Sequence, residues 1–121
     1  MIRLTLPYPP SGNNQRIPVR QGKGARLTDA PAYREWKKAA DKAVSEQVAG
    51  LALTGPYAMR LIADRPDRRR RDIGNLEKCC SDALVRGGVV ADDSDAQRIT
   101  LAWSDRLPGK GAAVHVIVEA I

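Results

Sequence analysis

Apolar and polar positions alternate from the first residues of the chain. Ile2, Leu4 and Leu6 are separated by Arg3 and Thr5, the period-2 pattern of a strand with one buried face. Pro7, Pro9 and Pro10 stop it, because proline has no amide hydrogen for a strand ladder. Residues 11–28 carry neither a strand nor a helix period; rich in Gly, Asn, Gln and Arg, they read as a long loop, a kind that is usually functional or disordered in a small domain. Tyr33, Trp36, Ala40, Ala43, Val44 and Val48 then recur at helical spacing, with Arg34, Lys37, Lys38 and Asp41 largely elsewhere. This predicts a helix over 32–48, capped by Thr28 or Asp29, with Pro31 in its first turn and Gly50 as its stop.

The second half repeats the alternation of periods. Residues 56–63 predict a strand with Tyr57, Met59, Leu61 and Ala63 on one side, and 64–71 a charged loop. Residues 75–86 predict a second helix, ended by Gly87-Gly88, and Val89-Val90-Ala91 leads into an acidic turn at 92–95. Residues 99–103 and 113–118 read as strands joined through Pro108-Gly109-Lys110-Gly111, which predicts a hairpin. The order is β-α-β-α-β-β. With 121 residues and no repeat or linker, it predicts one small α+β domain over 1–121, a mixed sheet covered by two main helices.

Composition narrows the partners. A formal charge of +6 favours an anionic one, and its distribution says more than its size: up to Thr28 the chain carries Arg3, Arg16, Arg20, Lys23 and Arg26 and no acid. Cys79 and Cys80 are adjacent, a spacing unsuited to a mutual disulfide, and no second pair completes a zinc site. They read as small apolar helix residues in a reducing compartment. The N-terminus lacks the apolar stretch of a signal peptide, and no window approaches the roughly 20 apolar residues of a membrane span, so the expectation is a cytosolic protein.

The chemistry concentrates at Arg68-Arg69-Arg70-Arg71-Asp72. Four guanidiniums stay charged at physiological pH and face solvent or a polyanion. Asp72 opens the second helix, Lys78 lies one turn in, and Asp92-Asp93 follow its far end. Cations for phosphates beside carboxylates for a divalent metal are what phosphodiester cleavage needs. A straight helix would hold Asp72 and Asp93 roughly 15 Å apart, so they meet only if the chain folds back across Gly87-Gly88. Each feature also has a plainer reading. An Arg run can be a solvated surface, and an Asp-rich tetrad can be a turn. Lys78 and Asp82, at i,i+4, fit a surface ion pair, and His115 fits a strand between Val114 and Val116. Composition and spacing leave these open; a lone histidine gives a zinc or Ser-His-Asp site no support.

The ordered residues resemble the RusA family of Holliday junction resolvases over nearly the whole chain. The resemblance rests on Leu6-Pro7-Tyr8-Pro9-Pro10-Ser11 with Asn13-Asn14, then Ala32-Tyr33-Arg34. Its most specific part is Pro66-Asp67 followed by the Arg run, Asp72, Asn75-Leu76, Lys78, Asp82-Ala83-Leu84 and Asp92-Asp93. It implies a homodimeric bacterial or prophage endonuclease that binds four-way DNA junctions by structure and cuts paired strands with Mg²⁺ or Mn²⁺. By position Asp72 and Asp93 match catalytic aspartates, Lys78 the basic residue that assists the transition state, and Arg71 an arginine suited to phosphate. Asp72, Asp93 and, less directly, Asp92 are the implied metal ligands. Arg68, Arg69, Arg70 and Arg71, with Arg16, Arg20, Lys23 and Arg26, are the candidate DNA contacts.

One position departs from the family pattern, which commonly reads Asp-Leu-Asp-Asn-Leu. Here it is Asp72-Ile73-Gly74-Asn75-Leu76, so the middle carboxylate is missing. Asp92, Asp67 or Asp95 supplies the ligand, or Asp72 and Asp93 suffice with water, or the protein binds junctions without cutting them efficiently. Retention of Asp72, Lys78, Asp92 and Asp93 favours activity. The rival from another class is a non-catalytic junction-binding protein. An RNA-binding domain is a third reading, disfavoured by the 4% aromatic content.

Overall fold

The alternation at the N-terminus becomes strand β1 (Ile2–Pro7), with Ile2, Leu4 and Leu6 buried and Arg3 and Thr5 exposed. The structure, a computed structural model, describes residues 1–11, 15–50 and 52–121. Asn13 and Asn14, on which part of the family resemblance rests, lie outside the described residues.

Residues expected to form an irregular loop are instead two antiparallel strands, β2 (Arg16–Gln21) and β3 (Gly24–Asp29), paired from Arg16↔Asp29 to Gln21↔Gly24. Gly22 takes φ 60 at the first position of the two-residue turn, where hairpins favour glycine. The hairpin forms a separate two-stranded sheet, and β2 is exposed along its whole length. With no buried face to select apolar residues, its sequence carries no period-2 signature. That is why the pattern missed it.

Helix α1 (Pro31–Gln47) follows, with Pro31 in its first turn and Tyr33, Trp36, Ala40 and Val44 buried. The expected cap is corrected: Ala30 occupies that position without a side-chain hydrogen bond. Asp29 is instead committed to Lys37 at 2.6 Å and Arg16 at 3.2 Å, which ties the hairpin base to α1. Strand β4 (Tyr57–Ala63) buries the four residues expected of it. The second helix begins as a 3-10 turn (Ile73–Leu76) and continues as α2 (Glu77–Arg86). The two free cysteines, Cys79 and Cys80, are buried on α2.

The last two strands, β5 (Ala96–Trp103) and β6 (Ala113–Ala120), do not pair with one another, contrary to the hairpin expected of them. The sheet order is β1-β6-β4-β5, with β4 antiparallel to β6 and parallel to β5. Parallel neighbours need a crossover, and the 73–86 helical segment supplies it. Strand β4, buried at five of its seven positions, takes the interior of the sheet and separates β5 from β6. Short apolar runs mark strands but not their partners. The fold is therefore the expected small α+β domain with a mixed sheet and two helices, with the β2–β3 hairpin added to it.

The reversal after α2 decides where the acidic turn lands. A Cβ at Gly87 would collide with the Val44 side chain, so glycine lets the chain end press against α1, and Gly88 takes φ +74. Val89 and Val90 are buried beyond it, and the Leu53 amide donates to the Val89 carbonyl at 2.8 Å. The chain is thereby returned alongside α2.

Candidate active site

Asp72 holds the start of the 3-10 turn. Its Oδ1 accepts from the Gly74 amide at 2.9 Å, the capping geometry that an aspartate supplies to exposed backbone N–H groups. Asp92 does the same for the next turn (Asp93–Asp95), accepting from Ser94 N at 2.8 Å. That backbone hydrogen bond keeps the Asp92 carboxyl below its ordinary pKa. Each bond orients one carboxylate and engages one of its oxygens.

Lys78 is where the two ends of the segment meet. Its Nζ is 3.1 Å from Asp82 Oδ1 and 3.6 Å from Asp93 Oδ2. The Asp82 bond, helped by the charge of Asp93, raises the lysine pKa. The i,i+4 pair foreseen as a surface contact is thus half of a three-residue cluster. The chain past Gly87-Gly88 thus brings Asp93 alongside α2, within reach of the Lys78 side chain. Asp92 and Asp93 line a cavity with Asp82, Val85 and Arg86. Asp72 lines a different one, with Arg70, Arg71, Asn75 and residues of the 8–11 segment. Among the described residues no three His, Cys, Asp or Glu side chains stand together as a ready metal nest.

The arginine run divides in two. Arg68, Arg69 and Arg70 are exposed, and among the described residues none of their side chains is in an ion pair. Arg71 is half-buried and built into the scaffold. It donates to both oxygens of Asp67, at 3.2 and 2.7 Å, and its guanidinium lies 5.9 Å from the Tyr8 ring centroid. The bond from Arg71, joined by the Arg69 amide, holds Asp67 below the usual carboxylate range. Asp67 is therefore occupied as an internal partner of Arg71. Of the N-terminal cations, Arg16 is paired with Asp29, while Arg20, Lys23 and Arg26 project from the exposed hairpin.

Gly74 has no positive φ, so its backbone does not require glycine. A Cβ there would come 3.2 Å from Asp72 Oδ1, which a slight shift of that carboxylate relieves. The absence of a carboxylate at this position is thus not imposed by the fold.

Sequence reasoning missed Asp64, which it placed in a charged surface loop. Asp64 is 4% exposed. It accepts from Ser104 Oγ at 2.6 Å, the Ala113 amide at 3.1 Å and Arg106 Nη1 at 3.3 Å, and lies 3.2 Å from His115 Nε2. Burial alone would raise its pKa, but the bonds from Ser104, Ala113, His115 and Arg106 outweigh burial and hold it at about 2. This carboxylate ties the end of β4 to both ends of the β5–β6 connection. Its position directly after a buried strand was the only local signal.

A family model described as "Endodeoxyribonuclease RusA" matches residues 7–119. The chain is similar to the crossover junction endodeoxyribonuclease RusA of Escherichia coli strain K12, 34% identical over 91 residues, which span 75% of this chain and 72% of that protein. The corresponding proteins of Shigella sonnei and of Enterobacteria phage 82 match at the same identity and coverage.

Proposed function

We propose, for a chain that belongs to the RusA family of endodeoxyribonucleases, that it resolves four-way DNA junctions by metal-dependent phosphodiester hydrolysis. The observation that carries the reading is the placement of Lys78 against Asp93, at the helix turn that Asp72 introduces. Lys78 and Asp93 thereby meet beside α2, and Asp72 begins the turn that leads into it directly after the arginine run.

The residues present fit a hard divalent cation. Asp72, Asp92 and Asp93 each offer a carboxylate oxygen outside the bonds described above, and Mg²⁺ takes few protein oxygens because it keeps several waters. Mn²⁺ accepts the same donors. Asp72 and Asp93, with Asp92, would hold the ion, which supplies an acidified water and offsets charge on the phosphoryl oxygens. Lys78 keeps its ammonium fixed between Asp82 and Asp93. Held near those carboxylates, the exposed ammonium remains available to donate to a phosphoryl oxygen as negative charge develops. Arg68, Arg69 and Arg70 hold the backbone of the strand being cut, and Arg71 fixes their loop by its bond to Asp67. The hairpin, with Arg20, Lys23 and Arg26, contacts a junction arm. Symmetric cuts need two such sites, which a homodimer provides. Among the described residues no helix is long and apolar enough to cross a membrane, and the two free cysteines suit a reducing cytoplasm.

A second reading, a junction binder without cleavage, draws on Gly74 and on the dispersed carboxylates. Incubation of the purified protein with a fixed synthetic four-way junction separates the two. Cleavage should appear with Mg²⁺ or Mn²⁺ and vanish with chelator. Tight binding with every strand intact across both metals would leave only the binding module.

A further inference from the structure

Beside Asp72 lies a cavity of about 240 Å³, walled by two segments far apart in sequence. One wall is Tyr8, Pro9 and Pro10; the other includes Arg70 and Asn75. The first wall is anchored, because Trp36 Nε1 donates to the Pro7 carbonyl at 2.7 Å and pins the chain to α1 where β1 ends. Tyr8 is braced as well. Burial raises the pKa of its hydroxyl, and the Arg71 guanidinium that faces its ring is held in turn by Asp67. Asn75 is exposed, and among the described residues its side-chain amide makes no hydrogen bond; only its backbone N–H is used, donating to the Asp72 carbonyl.

Three chemistries therefore meet next to a candidate metal ligand. Tyr8 offers an aromatic ring, the free Asn75 amide offers a donor and an acceptor, and Arg70 offers a cation. A nucleoside phosphate presents the complements: a π-face, a base edge with both donors and acceptors, and an anion. Unstacking of a base is least costly where the duplex is already interrupted, as at the crossover of a junction.

We propose that this cavity takes the nucleoside flanking the scissile phosphate, its base laid on Tyr8 and its edge read by Asn75, so that the pocket gives cleavage its sequence preference. The inference rests on the junction-cutting function proposed above.

Cleavage rates on a panel of fixed junctions, differing only in the dinucleotide at the crossover, test it together with a measurement that needs no cleavage. The ratio of preferred to disfavoured sequences should fall roughly tenfold in Asn75→Ala, which removes the group that reads the base edge. Tyr8→Ala should slow cleavage roughly tenfold or more, the size of one base–aromatic stack, and Tyr8→Phe, which keeps the ring, should retain the rate. In the Asp72→Asn background, 2-aminopurine at the flanking position should change its fluorescence when the junction binds, and Tyr8→Ala should abolish that change. An equal rate loss at every sequence in Asn75→Ala, or a 2-aminopurine response indifferent to Tyr8→Ala, overturns the proposal. If the parent protein cuts no member of the panel, the cleavage function fails. The fluorescence arm still decides the pocket, and the exposed Asn75 gives a variant that leaves the core untouched.

Discussion

Lys78 Nζ stands 3.6 Å from Asp93 Oδ2, although the length of α2 and a reversal of the chain separate them in sequence. Asp82 Oδ1 holds the same ammonium from the other side, at 3.1 Å. On the function proposed above, the two contacts orient the Lys78 ammonium and make Asp82 a positioning residue, which the resemblance alone did not assign. Asp82→Asn should slow single-turnover cleavage while junction affinity stays close to the parent's. Because Asp82 is the main cause of the raised Lys78 pKa, its loss lets the lysine deprotonate at lower pH. The alkaline limb of the pH–rate profile should shift downwards. An unmoved limb would assign Asp82 to the surface and nothing more.

Asp72→Asn removes a charge while keeping an oxygen that can still accept from Gly74 N. Cleavage should fall by about two orders of magnitude or more, because the charge stabilisation that the ion would supply is lost with its ligand. Gel-shift affinity for the junction should hold or improve slightly as repulsion of phosphate declines. Cleavage equal to the parent's would remove Asp72 from the reaction.

Gly74→Asp should restore a carboxylate beside Asp72. The backbone accepts a side chain there, and the one close neighbour is the movable Asp72 carboxylate, 3.2 Å from the new Cβ. The Mg²⁺ concentration giving half-maximal cleavage should drop several-fold. A variant with the parent's metal dependence would mean that the existing carboxylates already saturate the ion.

Asp64 makes the fold sensitive to acid. Its folded-state pKa of about 2 lies below the ordinary value of 3.8, so its contribution is complete above pH ~4 and fades as pH falls towards 2. A shift of this size corresponds to about 2 kcal/mol. Urea melts of the parent and of Asp64→Asn should differ by about that much at pH 7 and converge near pH 2. A constant difference across that range would show that the charge of Asp64 is not what stabilises the corner.

The hairpin cations act at long range if they meet DNA. Replacing Arg20, Lys23 and Arg26 together by alanine should weaken junction binding. It should also make the plot of log affinity against log salt less steep by about 2–3, a little under one for each phosphate that the variant no longer neutralises. An unchanged slope would place the hairpin away from the nucleic acid.

Much of this was written locally. The alternation of Ile2, Leu4 and Leu6, the helical stripe of Tyr33, Trp36, Ala40 and Val44, and the buried face of β4 each record burial on one side of an element. Spacing carries such information without help from the rest of the chain. The Arg run and its following aspartate were equally legible, because four adjacent charges have only solvent or an anion to face. The β2–β3 hairpin escaped because it buries no face of its own. The pairing of β5 with β4 instead of β6 escaped because strand partners are chosen across the sheet by competition for its interior. Asp64 looked like one more charge in a polar loop until the ends of the β5–β6 connection closed around it. The sequence by itself determined which residues carry charge, which faces are apolar and where most of the elements lie, since these depend on neighbours a few residues away. Only the tertiary structure decided that Lys78 meets Asp93, that Arg71 braces Tyr8 and that a cavity opens beside Asp72. Those contacts join distant segments, and the first of them exists because Gly87 lets the chain turn back against Val44.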